Sequence, residues 1–127
     1  MGAVLVVDDE ATILDATTAL LGACGYETFP ARTSEDAIRI LTLRPDIDII
    51  LSDIALAHGD SGVLLARRLA HSAWPGTFIL VSGDPDAIAQ ATDRPRRSLL
   101  LSKPYGRKDL LKALESASQM NRTTLHV

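Results

Sequence analysis

Ile49-Ile50-Leu51-Ser52-Asp53 is a run of aliphatic and β-branched residues that ends abruptly in a carboxylate. Bounded by Pro45 before it and by Gly59 and Gly62 after it, the run predicts a short strand buried on both faces, although periodicity alone also admits a helix. On the strand reading Asp53 stands at the carboxyl end. In open parallel sheets ligands bind at that edge, where strands stop in a crevice rimmed by loops and helix N-termini. Asp53 is therefore the candidate reacting residue.

Working outward, Ala3-Val4-Leu5-Val6-Val7 is a second such run, and it stops at Asp8-Asp9-Glu10. Ile13, Ala16, Leu20 and Cys24 follow at helical spacing, Leu14 and Leu21 widen the stripe, and Gly25 sits where a C′ glycine belongs. Tyr26 to Phe29 predicts a strand. A helix from about Ser34 to Arg44 is capped by Thr33 or Ser34 and turns Ala37, Ile38 and Leu41 inward. The strand from Ile47 to Asp53 leads into a polar loop at His58, Gly59, Asp60 and Ser61. The next helix starts at Gly62, buries Val63, Leu64, Ala66, Leu69 and Ala70, points Arg67 and Arg68 away, and breaks at Trp74-Pro75-Gly76. Thr77 to Val81 is strand-like and ends in Ser82-Gly83-Asp84-Pro85, with a short helix from Pro85 to about Thr92. After a loop at Asp93 to Arg97, Ser98 to Leu101 predicts a fifth strand leading to Lys103-Pro104. A last helix from Arg107 to Gln119 carries Leu110, Leu111, Leu114 and Ala117. The expected organisation is one domain over 1–120 and a frayed tail over 121–127. Five apolar runs alternating with five helical patterns make right-handed βαβ units, hence an α/β, three-layer α/β/α, doubly wound five-stranded parallel sheet.

The 127 residues, 46% of them hydrophobic, suffice for one core without disulfide or structural metal. A net charge of −3 gives no general reason to expect nucleic-acid or membrane binding. Cys24 is the one cysteine and reads as a packed thiol, which fits a reducing, cytoplasmic setting. No run approaches the roughly 18 apolar residues of a membrane helix.

Polar residues end four of the five predicted strands: Asp8 and Asp9, Asp53, Ser82 and Lys103. In a parallel sheet these ends share one edge, so the residues converge. Three carboxylates that close repel unless a cation lies among them. Oxygen-only ligands favour a hard divalent ion, and few protein ligands with room for water suit Mg²⁺. A metal, a lysine and a hydroxyl facing one acidic oxygen suit phosphoryl transfer, in which a carboxylate can carry the group as an acyl phosphate.

Val6-Val7-Asp8-Asp9-Glu10, Leu51-Ser52-Asp53, Leu80-Val81-Ser82-Gly83 and Leu101-Ser102-Lys103-Pro104-Tyr105, in that order, resemble the receiver domain of two-component response regulators from Val4 to about Ser118. The resemblance implies the flavodoxin-like receiver fold with strand order 2-1-3-4-5. It also implies that Asp53 accepts a phosphoryl group from a histidine kinase or histidine phosphotransfer protein and self-dephosphorylates, with no separate enzymatic output. Asp9, Asp53 and the Ala55 carbonyl would ligate Mg²⁺, and Asp8 would hold metal-bound water. Ser82, Lys103 and the backbone N–H groups of Ile54 and Gly83 would contact the phosphoryl oxygens, and the bond before Pro104 would be cis. The output would be binding to an unidentified downstream protein; a homodimer stays open, and no direct nucleic-acid or membrane contact is implied.

The chain departs from that pattern at three places. Leu100 occupies the switch position where the family usually has an aromatic. Ala57 stands where the loop after the aspartate usually has proline, and Gly62 falls one residue later than in many receivers. The loop resembles the His-Gly-x-Ser-Gly type of receivers attached to hybrid kinases and of related stand-alone receivers. Two other function classes compete. A flavodoxin-like FMN carrier needs a phosphate-cradling loop where this chain has Asp8-Asp9-Glu10, and an aspartyl phosphatase needs its second Asp two residues after the first. A scaffold that kept the fold and lost the switch is the remaining alternative. His58, His71 and His126 have no mutual metal spacing and read as surface or loop residues.

Overall fold

A computed structural model describes residues 2–91 and 94–124. Among them, β1 (Ala3–Val7), β2 (Glu27–Ala31), β3 (Ile49–Asp53), β4 (Thr77–Ser82) and β5 (Ser98–Ser102) alternate with α1 (Ala11–Ala23), α2 (Ser34–Leu43), α3 (Gly62–His71), α4 (Pro85–Gln90) and α5 (Arg107–Thr124). The strands form one sheet in the order β2-β1-β3-β4-β5, every pair parallel.

The alternation of side chains along each strand divides the core in two. Leu5, Val7, Ile50, Phe78 and Leu80 pack with Ala37, Leu41, Leu65, Ala66 and Leu69 of α2 and α3. Val4, Val6, Ile49, Leu51, Ile79 and Val81 pack with Leu14 and Leu21 of α1 and Leu110, Leu114 and Ala117 of α5. Both faces of the sheet are thus covered, which is why the strands read as unbroken apolar runs. The same parity puts Asp53 on the α1/α5 side, in step with Ile49 and Leu51, and Leu100 on the opposite side.

Several boundaries differ from the sequence expectation. The buried side of α1 is Leu14, Thr17 and Leu21, while Ala16 is exposed and Ile13 and Cys24 are half-buried. The stripe lies one position later because a threonine, invisible to an apolar count, occupies its middle. Gly25 does end the helix, with φ 93° and with Tyr26 N–H donating to the Leu21 carbonyl and Gly25 N–H to that of Gly22. β2 starts at Glu27 and runs through Pro30, which an edge strand tolerates because one side of its backbone needs no partner. The Arg44 guanidinium lies 4.5 Å over the Phe29 ring and pairs with Glu27 and Asp46, so a cation and two carboxylates cover that edge. α3 turns Leu64 outward, 53% exposed, and buries Leu65 in its place. α4 stops at Gln90; the expected end at Thr92 and the turn at Asp93 lie outside the described residues, as do Leu125, His126 and Val127. No described helix is long and apolar enough to cross a membrane.

α5 continues five residues past Gln119, to Thr124, where fraying was expected. Asn121 explains the extension. Its Nδ2 donates to the Asp48 carbonyl at 2.9 Å, and its Oδ1 accepts from the fully buried Thr77 hydroxyl at 2.8 Å. Replacing Asn121 with Ala leaves that hydroxyl without a partner and is expected to cost about 1–3 kcal/mol in urea unfolding. Unchanged stability would show that the helix end is held by something else.

Candidate phosphoacceptor and metal site

The carboxyl ends of β1, β3, β4 and β5 bring Asp8, Asp9, Asp53, Ser82 and Lys103 to one edge of the sheet. Asp8 is buried; its N–H donates to the Ala31 carbonyl at 3.1 Å, and its Oδ1 accepts from the Glu10 N–H at 2.9 Å. Asp9 is half-buried, and its carbonyl accepts from Arg32 at 3.1 Å. Asp8, Asp9 and Asp53 each offer an oxygen within 4.8 Å of the others. Lys103 reaches the group from β5, with Nζ 3.3 Å from Asp53 Oδ2, and the bond between Lys103 and Pro104 is cis. Thr17 and Tyr105 line the same crevice.

The backbone around Asp53 is closely fitted. A Cβ on Gly62 would stand 2.3 Å from the Asp53 carbonyl oxygen and 2.8 Å from Ser52 Oγ, so only glycine lets α3 start so near the strand. The loop from Ala55 to Ser61 is a small hairpin. Gly62 N–H donates to the Ile54 carbonyl and Leu56 N–H to the Asp60 carbonyl, so the bridge between Ala55 and Ser61 uses neither the N–H nor the carbonyl of Ala55. His58 and Gly59 form the bend with φ 60° and 75°, the left-handed pairing of tight hairpin turns.

Two expected contacts are not made as the site stands. The Ile54 N–H donates to the Val81 carbonyl at 2.9 Å, extending the β3–β4 ladder by one residue. The buried Ser82 hydroxyl accepts from the Asp84 N–H at 3.0 Å and makes no hydrogen bond to Asp53. Gly83 lies beside the lysine stem, where an added Cβ would stand 3.6 Å from that of Lys103. Leu100 is half-buried and packs on the same core as Ala87 and Ile88 of α4. His58 and His71 are exposed, and neither belongs to the Asp8, Asp9 and Asp53 cluster.

Burial raises the Asp53 carboxyl above the usual aspartate range; the Lys103 ammonium pulls it down, and Asp8 and then Asp9 push it up again. For Lys103, burial works against the charge, but Asp53 at hydrogen-bond distance outweighs it and the ammonium is held above its ordinary value. The donor set is three carboxylates, all oxygen, and a hard divalent cation would relieve the repulsion that Asp8 and Asp9 add to the effect of burial on Asp53. These residues fit a divalent metal.

A carboxyl raised on folding favours the fold while it is protonated and loses that contribution as pH rises through its range; a raised lysine contributes until pH passes its own raised value. Asp53→Asn is therefore expected to melt higher than the parent at neutral pH without divalent cation, with the gap closing below about pH 4 and on adding Mg²⁺. A gap independent of both would contradict this electrostatic account. Gly62→Ala is expected to cost about 1–3 kcal/mol, read from urea unfolding, because the added methyl meets backbone that cannot move aside.

A family model for the response regulator receiver domain matches residues 4–115. The chain is 32% identical over 131 aligned positions, covering 94% of it and 52% of the relative, to the transcriptional regulatory protein TdiR of Thauera aromatica. It spans about half, or less, of the length of the curated relatives it matches. Among solved structures it resembles a response regulator receiver domain protein from Clostridium thermocellum, with TM-score 0.85, 28% identity and all of both chains covered. It also resembles the signal receiver domain of an HD domain-containing protein from Pseudomonas fluorescens Pf-5, with TM-score 0.86, 30% identity, and 98% and 92% of the two chains covered.

Proposed function

The chain belongs to the response regulator receiver domain family, and on that footing we propose that Asp53 is the phosphoacceptor of a two-component phosphorelay, taking its phosphoryl group from a histidine kinase or histidine phosphotransfer protein. The observation that carries this reading is the Lys103 ammonium 3.3 Å from Asp53 Oδ2 beside the cluster of Asp8, Asp9 and Asp53.

An Asp53 carboxylate oxygen attacks the phosphorus of a phosphorylated imidazole. The new P–O bond forms as the P–N bond breaks, and that bond's electron pair stays on the ring nitrogen. Asp8, Asp9, Asp53 and the Ala55 carbonyl are the groups to hold Mg²⁺, which when bound neutralises charge on the transferring oxygens. Lys103 pairs with one of those oxygens in place of the Asp53 carboxylate it now meets. Ser82 turns its hydroxyl proton from the Asp84 carbonyl, now 3.5 Å away, to another of them and gives up the Asp84 N–H. Gly83 supplies a backbone N–H, whereas that of Ile54 is held by Val81. Water attack on the acyl phosphate resets the site.

Because Asp84 also caps α4, with its Oδ1 accepting from the Asp86 N–H at 2.9 Å, movement of Ser82 reaches the start of that helix. The signal is a shift in a pre-existing equilibrium of the surface read by a downstream protein. Leu100 favours a second reading of that last step: a packed leucine cannot swing between buried and exposed as an aromatic ring does, so the domain would act as a scaffold whose partner affinity ignores phosphorylation. Partner binding with and without beryllofluoride separates the two.

Incubation with acetyl phosphate and Mg²⁺ is expected to add one phosphoryl group by mass, and Asp53→Asn to abolish the addition. An undiminished mass shift in that variant refutes the assignment. Lys103→Met is expected to slow phosphorylation by roughly 10²-fold or more, measured by the same mass assay over time.

A further inference from the structure

Asp60 lies outside the carboxylate cluster, in the hairpin that carries Ala55. Its Oδ1 accepts from the Ser61 N–H at 2.8 Å, within the loop. Its Oδ2 accepts from the Ser34 N–H at 3.3 Å, and Ser34 is the first residue of α2. That second bond joins the loop to a helix 26 residues earlier in the chain. Ser34 is 8% exposed, so water is poorly placed to substitute for the carboxylate. The N–H is one of the orphan donors of a helix start, for which a carboxylate is the favoured partner.

We infer that Asp60 is a positioning residue: by strapping the 55–61 hairpin to the first turn of α2, it holds the Ala55 carbonyl at the cation site. The inference rests on the reading of Asp8, Asp9, Asp53 and Ala55 as the Mg²⁺ ligands. A carbonyl on a loop binds a cation tightly only when the loop is already ordered, because the entropy of ordering it is otherwise deducted from the affinity. The hairpin's own bonds run through Asp60. Its carbonyl accepts from Leu56 N–H and its N–H donates to the Ala57 carbonyl, both at 3.2 Å, so whatever fixes Asp60 fixes both sides of the bend. The Gly62 N–H bond to Ile54 at 2.9 Å then leaves the Ala55 peptide little freedom to turn.

The test compares Mg²⁺ affinity by calorimetric titration across three variants of the full chain, with thermal melting recorded alongside. Asp60→Ala removes both bonds. Ser34→Pro removes the N–H donor, together with a buried hydroxyl that has no hydrogen-bond partner, at a first helical position that accepts proline, after a Thr33 whose φ −138° and ψ 161° suit a residue preceding proline. Thr33→Ala removes the cap that accepts from the Asp36 N–H at 3.0 Å, loosening the same helix start while leaving the Asp60 strap in place. Asp60→Ala and Ser34→Pro are each expected to weaken Mg²⁺ binding on the order of tenfold, and Thr33→Ala to leave it unchanged despite a lower melting temperature. Should Asp60→Ala fail to fold, Ser34→Pro carries the comparison. Parental affinity in the strap variants, or an equal loss in all three, would overturn the inference. A parent chain that binds no Mg²⁺ would instead overturn the ligand reading beneath it.

Discussion

Three carboxylates with oxygens within 4.8 Å of one another repel, and the rest of the site is arranged around that repulsion. Lys103 offsets part of this from one side, which is why its own charge is held so firmly, while burial, with Asp8 and Asp9 adding to it, leaves Asp53 harder to ionise than an ordinary aspartate. A cation among the oxygens would remove the remainder. The arrangement is thus poised to bind a divalent ion and, through it, a group rich in negative oxygen.

The sheet creates this situation at little cost to its core. β1 and β3 are adjacent and parallel, with Val7 opposite Ser52, so their acidic ends fall side by side. β4 separates β3 from β5, and Lys103 spans that gap with its long stem resting by Gly83. Apolar side chains fill most of both faces, with Ser52, Thr77 and Ser98 buried among them, and the acids and the lysine stand at or just beyond the strand ends. This change is what made the architecture and the site legible in the sequence: a buried strand with a polar group at its tip has a one-dimensional signature, and four such tips in order, two acidic, one a hydroxyl and one a lysine, constrain each other.

What escaped the sequence were features that depend on contacts between elements. The stripe of α1 includes Thr17, which is buried against the crevice that Asp8 lines, and hydropathy alone skips a threonine. The extra length of α5 follows from one asparagine reaching the bottom of β3 and β4, which helical periodicity does not encode. The resemblance implied that the Ile54 N–H meets the phosphoryl oxygens, yet the β3–β4 ladder runs one residue further and takes it. Asp60 read as a polar loop residue, because nothing local reveals that its partner is the start of α2. His58 was similarly silent about a left-handed bend, because nothing in a histidine beside Gly59 calls for a positive φ.

The account turns on one claim, that folding makes Asp53 the oxygen to which a phosphoryl group attaches while the neighbouring acids hold the metal. A crystal structure of the chain grown with Mg²⁺ and beryllofluoride tests it most directly. The account predicts beryllium bonded to an Asp53 oxygen, with fluorines contacted by Lys103 and Ser82 and a cation coordinated by Asp9, Asp53 and the Ala55 carbonyl. Beryllofluoride bound elsewhere, or an Asp53 still paired only with Lys103 in the presence of both reagents, would contradict it.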